Sequence, residues 1–274
     1  MTFSVGVLLY GDHPQLARRC LSSLVASGLS GKFVQDVRLA LNNVSEETHR
    51  FVHEQAIPQL TACGIPVFVY TTEARDDIGK YPLMRRMLYS PPAASRWMWF
   101  DDDSWLLPSV SQDWWQAVAD KQATLLGQPW WIRARGNQTD WIRKQSWCTV
   151  EPASRQYKFL FATGGWWVAD TYFLYSWNYP FPELYHSGGD SILGELVRQQ
   201  SGKLVTFYDG VVINGRDPSL PGSVYKQKET PSRGSGRRKR QYVGEDYSPD
   251  LAYSLSHQEF SCRVESYKPD NDQS

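Results

Sequence analysis

Four bulky apolar residues, Trp97–Met98–Trp99–Phe100, run without transition into three carboxylates, Asp101–Asp102–Asp103. An apolar run of this kind is a buried strand that ends abruptly in acid. Three negative charges at a strand terminus repel one another, so a fold tolerates them best when a cation or a proton offsets them. Alternation along an extended chain sends Asp101 and Asp103 to one side and Asp102 to the other. Asp101 and Asp103 can therefore share one hard divalent ion. The plainer alternative is a solvated acidic loop that caps the next helix.

The residues before this point alternate between two periods. Phe3–Tyr10 reads as a buried strand, followed by the turn Gly11–Asp12–His13–Pro14. Leu16, Cys20, Leu21, Leu24 and Val25 recur at helical spacing, with Gly28 as a stop. Val37–Asn42 is a second strand, and Ser45 is placed to cap the next helix ahead of Glu46 and Glu47. Pro66–Thr72 is a third strand, Tyr81–Tyr89 a helix and Arg96–Phe100 a fourth strand. Strand and helix in alternation predict an α/β fold with a mostly parallel sheet covered by helices.

The second half is less regular. It offers a helix over Ser109–Ala123, strands over Thr124–Ile132 and Leu204–Tyr208, and a helix over Asp190–Gln200. An apolar run, Phe159–Val168, is interrupted by Gly164–Gly165. Beyond Gly215 the chain is rich in Pro, Gly, Ser and charge. We divide it into one α/β domain, 1–214, and a loop-rich basic extension, 215–274. Within the domain, 1–104 holds the regular strand–helix alternation and 105–214 the less regular half.

Bulk properties exclude several classes. Lys and Arg number 29, equal to Asp and Glu, so overall charge marks neither a nucleic-acid nor a membrane-surface binder. The four cysteines form no Cys-x-x-Cys pair, which argues against structural zinc and suits a reducing compartment. Met1–Tyr10 lacks a basic leader, and no apolar stretch approaches bilayer length. A cytoplasmic protein is expected, in the host cytoplasm if phage-encoded. Twelve Trp can serve packing or stacking on sugars and bases.

In open α/β sheets, ligands sit at the carboxyl ends of the strands. That edge would gather Tyr10–Gly11–Asp12, Asn42–Asn43, Thr71–Thr72–Glu73 and the acidic triplet. The polar ends of the first three strands suit a base and ribose. A metal held at the fourth suits a pyrophosphate, so the edge describes a nucleoside-diphosphate site.

Here the chain resembles the GT-A glycosyltransferases, particularly the family-2-like group, over approximately Phe3–Phe207. The resemblance is carried by the opening strand, by Asn42–Asn43–Val44–Ser45, and by Ile78–Gly79–Lys80 before a basic helix. Its sharpest element is the Asp-x-Asp motif of Asp101–Asp103. It implies that 1–104 is the nucleotide-binding half and 105–214 the acceptor-side half, and it implies a nucleotide-sugar donor, with Tyr10, Asp12, Asn42, Asn43 and Asp102 among the donor contacts. It also implies Mn²⁺ or Mg²⁺ on Asp103, with Asp101 at the ribose, the sugar or the ion. Arg85 and Arg86 can add contacts to phosphate. Thr163–Gly164–Gly165–Trp166–Trp167 resembles the family's glycine-containing segment, with Gly164 and Gly165 near the donor sugar and Trp166 as its platform. Ser187–Gly188–Gly189–Asp190 resembles the turn that carries the general base, so Asp190 is that base and inversion is expected. The family's acidic pair is here Gly189–Asp190, which lacks the first acid. A further metal ligand, often a downstream His, is left open between Asn214, Asp217 and His186.

Two basic segments bear on the acceptor. One runs from Trp130 and Trp131 through Arg133 and Arg135 to Trp147; the other includes Arg237 and Arg238. Aromatics interleaved with cations can stack bases and neutralise phosphates. DNA carrying a hydroxymethylated pyrimidine is therefore one expected acceptor, as in phage-type DNA modification, and a saccharide, lipid-linked or protein acceptor is the alternative. The rival classes are a metal-dependent phosphotransferase and a non-catalytic nucleic-acid binder. Haloacid-dehalogenase-like phosphatases place Asp-x-Asp after the first strand, whereas here it follows the fourth.

Overall fold

The computed structural model describes residues 1–72, 78–133, 136–149, 158–184, 188–213, 215 and 262–269. The first half runs β1 (Phe3–Tyr10), α1 (Pro14–Ala26), β2 (Val34–Asn42) and α2 (Glu46–Phe51). A π-helical turn (Val52–Ala56), α3 (Ile57–Ala62), β3 (Val67–Thr72), α4 (Lys80–Tyr89) and β4 (Arg96–Asp101) follow. Then come β5 (Trp105–Leu106), α5 (Gln112–Ala119), β6 (Leu125–Arg133), α6 (Gly136–Arg143) and β7 (Lys158–Asp170). The remainder is α7 (Thr171–Ser176), α8 (Gly189–Gln199), β8 (Leu204–Thr206), β9 (Val211–Val212) and β10 (Cys262–Tyr267).

Eight strands form one sheet in the order β10-β3-β2-β1-β4-β7-β6-β8. The four central strands β3, β2, β1 and β4 are parallel. On one side β7 runs antiparallel to both β4 and β6, and on the other β10 runs antiparallel to β3. The sheet is therefore mixed but mostly parallel at its centre, as the strand–helix alternation predicts, with the antiparallel strands at its flanks. From β1 the chain winds outward to β2 and β3, then returns to the other side of β1 as β4. This reversal leaves a crevice at the carboxyl ends of β1 and β4.

Period-2 alternation divides the apolar residues between two layers. Val5, Val7, Leu9, Met98, Phe100, Trp166 and Val168 enter one core with α1 and α5. Leu8, Trp97, Trp99, Trp167 and Ala169 enter the other with α4 and α8. Both faces are covered, which is why Trp97–Phe100 shows no polar alternation. Trp97, Trp99, Trp115, Trp166 and Trp167 are all fully buried, so much of the tryptophan load is core packing.

Arg38, on β2, is also fully buried and ion-paired to Asp36 at 2.6 Å. It donates to the carbonyls of Met87, Pro91 and Pro92, tying the end of α4 to the sheet. Ser45 caps α2 as expected, accepting from Thr48 N at 3.3 Å. One departure from expectation lies in the extension. Cys262–Tyr267 returns to pair with β3 along its full length. Among the described residues, no helix is long and apolar enough to cross a membrane.

Gly194 lets α8 lie directly on β7. A Cβ there would meet the Leu160 carbonyl oxygen and Phe161 Cα, which are backbone atoms that cannot swing aside. Gly194→Ala would gain about 1 kcal/mol of helix propensity. Overpacking costs about 1–3 kcal/mol, and a rigid neighbour puts this case at the upper end. A net loss of about 1–2 kcal/mol is expected, read as a lower urea midpoint at unchanged m value.

Candidate active site

The carboxyl edge of the sheet is organised first by backbone hydrogen bonds. Gly11 N donates to the Asn42 carbonyl at 3.3 Å, and Ser45 N to the Gly11 carbonyl at 3.2 Å. The Asn42 side chain is buried, and its Oδ1 accepts from Ile78 N at 3.1 Å. Asn42 thus fixes the approach to α4. The next residue, Gly79, adopts φ +88°, a left-handed conformation suited to glycine, and sets Lys80 as the first residue of the helix.

Lys80 is the centre of the site. Only 6% exposed, it places Nζ 2.9 Å from the Gly164 carbonyl and 3.1 Å from Asp101 Oδ1. Asp190 Oδ1 lies 3.6 Å from the same ammonium. The Trp99 and Tyr81 rings stand 5.4 and 5.7 Å from it. Burial alone would lower the Lys80 pKa, but Asp101 and then Asp190 outweigh it and leave the value raised. The ammonium is charged throughout the neutral range. The cation that offsets the strand-end acid is therefore supplied, for Asp101, by the chain itself.

Asp101 is further fixed by Trp99, whose Nε1 donates to Oδ1 at 2.8 Å. The strand ends there: Ser104 N donates back to the Asp101 carbonyl at 2.9 Å, making a turn of Asp102 and Asp103. The alternation that would pair Asp101 with Asp103 on one ion therefore stops before it reaches Asp103. Both Asp102 and Asp103 are buried. Gly215 N donates to the Asp103 carbonyl at 2.6 Å, and β9 pairs with β5. This brings the downstream segment proposed for a further ligand against the triplet; Asn214, Asp217 and His186 lie outside the described residues.

Asp190 sits in the first turn of α8, after Gly188 at φ +88°. Its carboxylate makes no helix cap and lies against β7. A Cβ on Gly164 would collide with Oδ2 and Cγ of the Asp190 carboxylate, and one on Gly189 with the Tyr81 ring. Gly164 thus makes room for a carboxylate rather than a sugar. The missing first acid has the same kind of cause, since Tyr81 fills the space a side chain at 189 would need. Asp190 Oδ1 is buried and has no hydrogen-bond partner among the described residues. The Tyr81 and Tyr179 phenols are held well above the ordinary value, first by burial and then by the Asp190 charge.

Other expected contacts are placed differently. Trp166 packs inside the core on Phe100 and Trp114, with centroids 6.4 and 6.1 Å apart. It cannot be a sugar platform, and its neighbour Trp167 stacks on Trp99 in the opposite layer. Gly165 is buried beside them. The Arg85 guanidinium is committed to the Asn178 and Pro180 carbonyls and to Asn178 Oδ1, which gives its phosphate role no support. Tyr10 packs edge-on against His13, Asp12 is exposed, and Asn43 takes φ +51° at the rim. Trp131 and its neighbour Trp130 are 59% and 51% exposed on β6. The Arg133 side chain and Arg135, Arg237 and Arg238 lie outside the described residues.

Sequence reasoning alone assigns Lys80 no role. A signal was present: a lysine at the first residue of a helix opposes the macrodipole, and that misfit is relieved when carboxylates face it.

No protein-family model matches the chain, and no curated protein matches it. Solved structures do. A Staphylococcus aureus TarS fragment, residues 1–349, aligns with TM-score 0.50 at 16% identity over 76% of this chain and 58% of its own. GalNAc-T7, solved with UDP, GalNAc and Mn²⁺, aligns with TM-score 0.51 at 15% identity over 75% of this chain and 42% of its own. This chain spans about half the length of those structures. The fold is that of the GT-A glycosyltransferases: a mixed, mostly parallel sheet flanked by helices.

Proposed function

We propose that this protein is a metal-dependent, inverting glycosyltransferase that moves a sugar from a nucleotide-sugar donor to an acceptor hydroxyl. The observation that carries the reading is Asp190. This half-buried carboxylate, with one buried oxygen lacking a hydrogen-bond partner among the described residues, meets Lys80, Asp101 and Gly164 at the edge where α/β sheets bind ligands. In this role Asp190 accepts the acceptor's hydroxyl proton as that oxygen attacks the anomeric carbon. The sugar–phosphate bond breaks with its electron pair passing to the departing diphosphate. Lys80 holds Asp101 and Asp190 in place and keeps the paired carboxylates from repelling one another.

Among the described residues, no three His, Cys, Asp or Glu side chains converge on one point. A hard divalent ion bound through one carboxylate, water and the ligand's own phosphates needs no such cage. Asp103, a buried carboxylate at the strand end, fits that chemistry; Asp101 is already engaged by Lys80 and Trp99. Mn²⁺ or Mg²⁺ held there would stabilise negative charge on the leaving diphosphate. The fold shared with GalNAc-T7, which was solved with UDP and Mn²⁺, supports this assignment.

The test is thermal unfolding with nucleoside diphosphates, with and without Mn²⁺. At a hundredfold excess over Kd, the cognate nucleotide should add about 2.7 kcal/mol. Asp103→Ala should remove the metal-dependent part. A phosphatase or a plain nucleic-acid binder requires no such gain, and no shift with any nucleoside diphosphate and Mn²⁺ would refute the proposal. Exposed Trp130 and Trp131 support an acceptor whose ring stacks. Hydroxymethylated DNA and simple glycans are the two acceptor arms of a transfer assay.

A further inference from the structure

The opposite edge of the sheet holds a feature that sugar transfer does not use. Arg96 opens β4 at the far end from Asp101, about 17 Å away at strand rise. It is 3% exposed, yet its Nε and Nη2 have no hydrogen-bond partner among the described residues. Only Nη1 donates, to the Lys121 carbonyl at a long 3.4 Å. A buried guanidinium with unmet donors is costly, so an acceptor is called for.

Beside it lies a cavity of about 490 Å³, lined by Arg96, Lys203, Asp170, Tyr172, Phe173 and Trp177 among others. Asp170 is the cross-strand neighbour of Arg96, but its Oδ1 caps α7 by accepting from Phe173 N at 2.8 Å. The two cations outnumber this one acid. Tyr172 is 78% exposed at the mouth, where an aromatic face lacks an obvious packing role.

We propose that this cavity is a second ligand site, taking a small oxyanion, phosphate or carboxylate, borne on a ring that stacks against Tyr172 and Trp177. The Nε–Nη2 fork of Arg96, buried behind the cavity wall, matches two oxygens of such a group once the guanidinium turns toward them, and exposed Lys203 adds a point charge. The site is separate from the donor edge and stands whether or not the glycosyltransferase reading does.

Titration calorimetry of the full chain with inorganic phosphate tests the oxyanion, and glucose 1-phosphate tests oxyanion and ring together. Wild type and Asp103→Ala should bind phosphate equally. Lys203→Glu should weaken binding by about tenfold, and Arg96→Gln should abolish it. Tyr172→Ala should weaken glucose 1-phosphate alone. The proposal is overturned if wild type shows no saturable binding at millimolar phosphate, which would leave the cavity to water. It is equally overturned if Asp103→Ala abolishes binding, because the anion would then occupy the donor edge. Should Arg96→Gln fail to fold, unchanged affinity in Lys203→Glu suffices to reject it.

Discussion

Asp190→Asn is expected to spare nucleotide binding and to reduce sugar transfer by roughly a thousandfold, within the range of general-base losses. The amide is nearly isosteric, so it still fits against Gly164, where even a methyl group would collide. It cannot take a proton from an attacking hydroxyl. On the proposed reading donor affinity rests on Asp103 and the strand ends rather than on Asp190, so it should hold to within a few-fold. Comparing nucleotide affinity with single-turnover transfer separates the two effects. Transfer within about tenfold of wild type would move the base elsewhere. Loss of nucleotide binding together with transfer would assign Asp190 to the donor.

Lys80→Met should be the most destabilising change at the site, by about 3 kcal/mol. Methionine fills similar volume against Trp99 and Tyr81, so packing is largely retained. What remains is Asp101 and Asp190 facing one another without a counter-charge, each side chain only a quarter exposed or less. That residual exposure lets water relieve part of the penalty, which places the estimate low in the range for broken buried pairs. The effect carries a pH signature. The folded pKa of Lys80 is raised above its ordinary 10.5, so its contribution is complete below that value and disappears as pH climbs through the folded pKa. Tyr81 and Tyr179, also raised, lose stability in the same alkaline direction. The gap between wild type and Lys80→Met should stay constant between about pH 6 and 9, then narrow at higher pH. A gap that widened with alkalinity would contradict the pairing. Urea unfolding across that range measures it.

The first half of the fold was legible because each element carries its own signal. β1 and β4 are apolar runs, α1 has helical spacing behind Pro14, and Ser45 is a capping residue in the right place. The mixed right-hand side was not, because antiparallel pairing of β7 with β4 depends on partners distant in sequence. β10 was missed for the same reason; six residues of weak alternation become a strand only against the exposed edge of β3. At the candidate site, the acids stand out in the sequence and their arrangement does not. Asp101, Asp103 and Asp190 are conspicuous as charges after apolar or glycine-rich segments. That Asp101 pairs with an ammonium rather than sharing an ion with Asp103 follows from a turn at Asp102 and from Gly79 aiming Lys80 inward. Trp166 shows the limit most plainly. An aromatic beside two glycines looks like a binding platform until the sheet is known to be covered on both sides.

That double coverage also bears on how the molecule comes apart. Trp97, Trp99 and Trp167 enter one layer and Met98, Phe100 and Trp166 the other, so β4 and β7 form the spine of both. Neither layer can loosen while the other stays ordered, and the protein should melt as one body, its fluorescence changing in a single step.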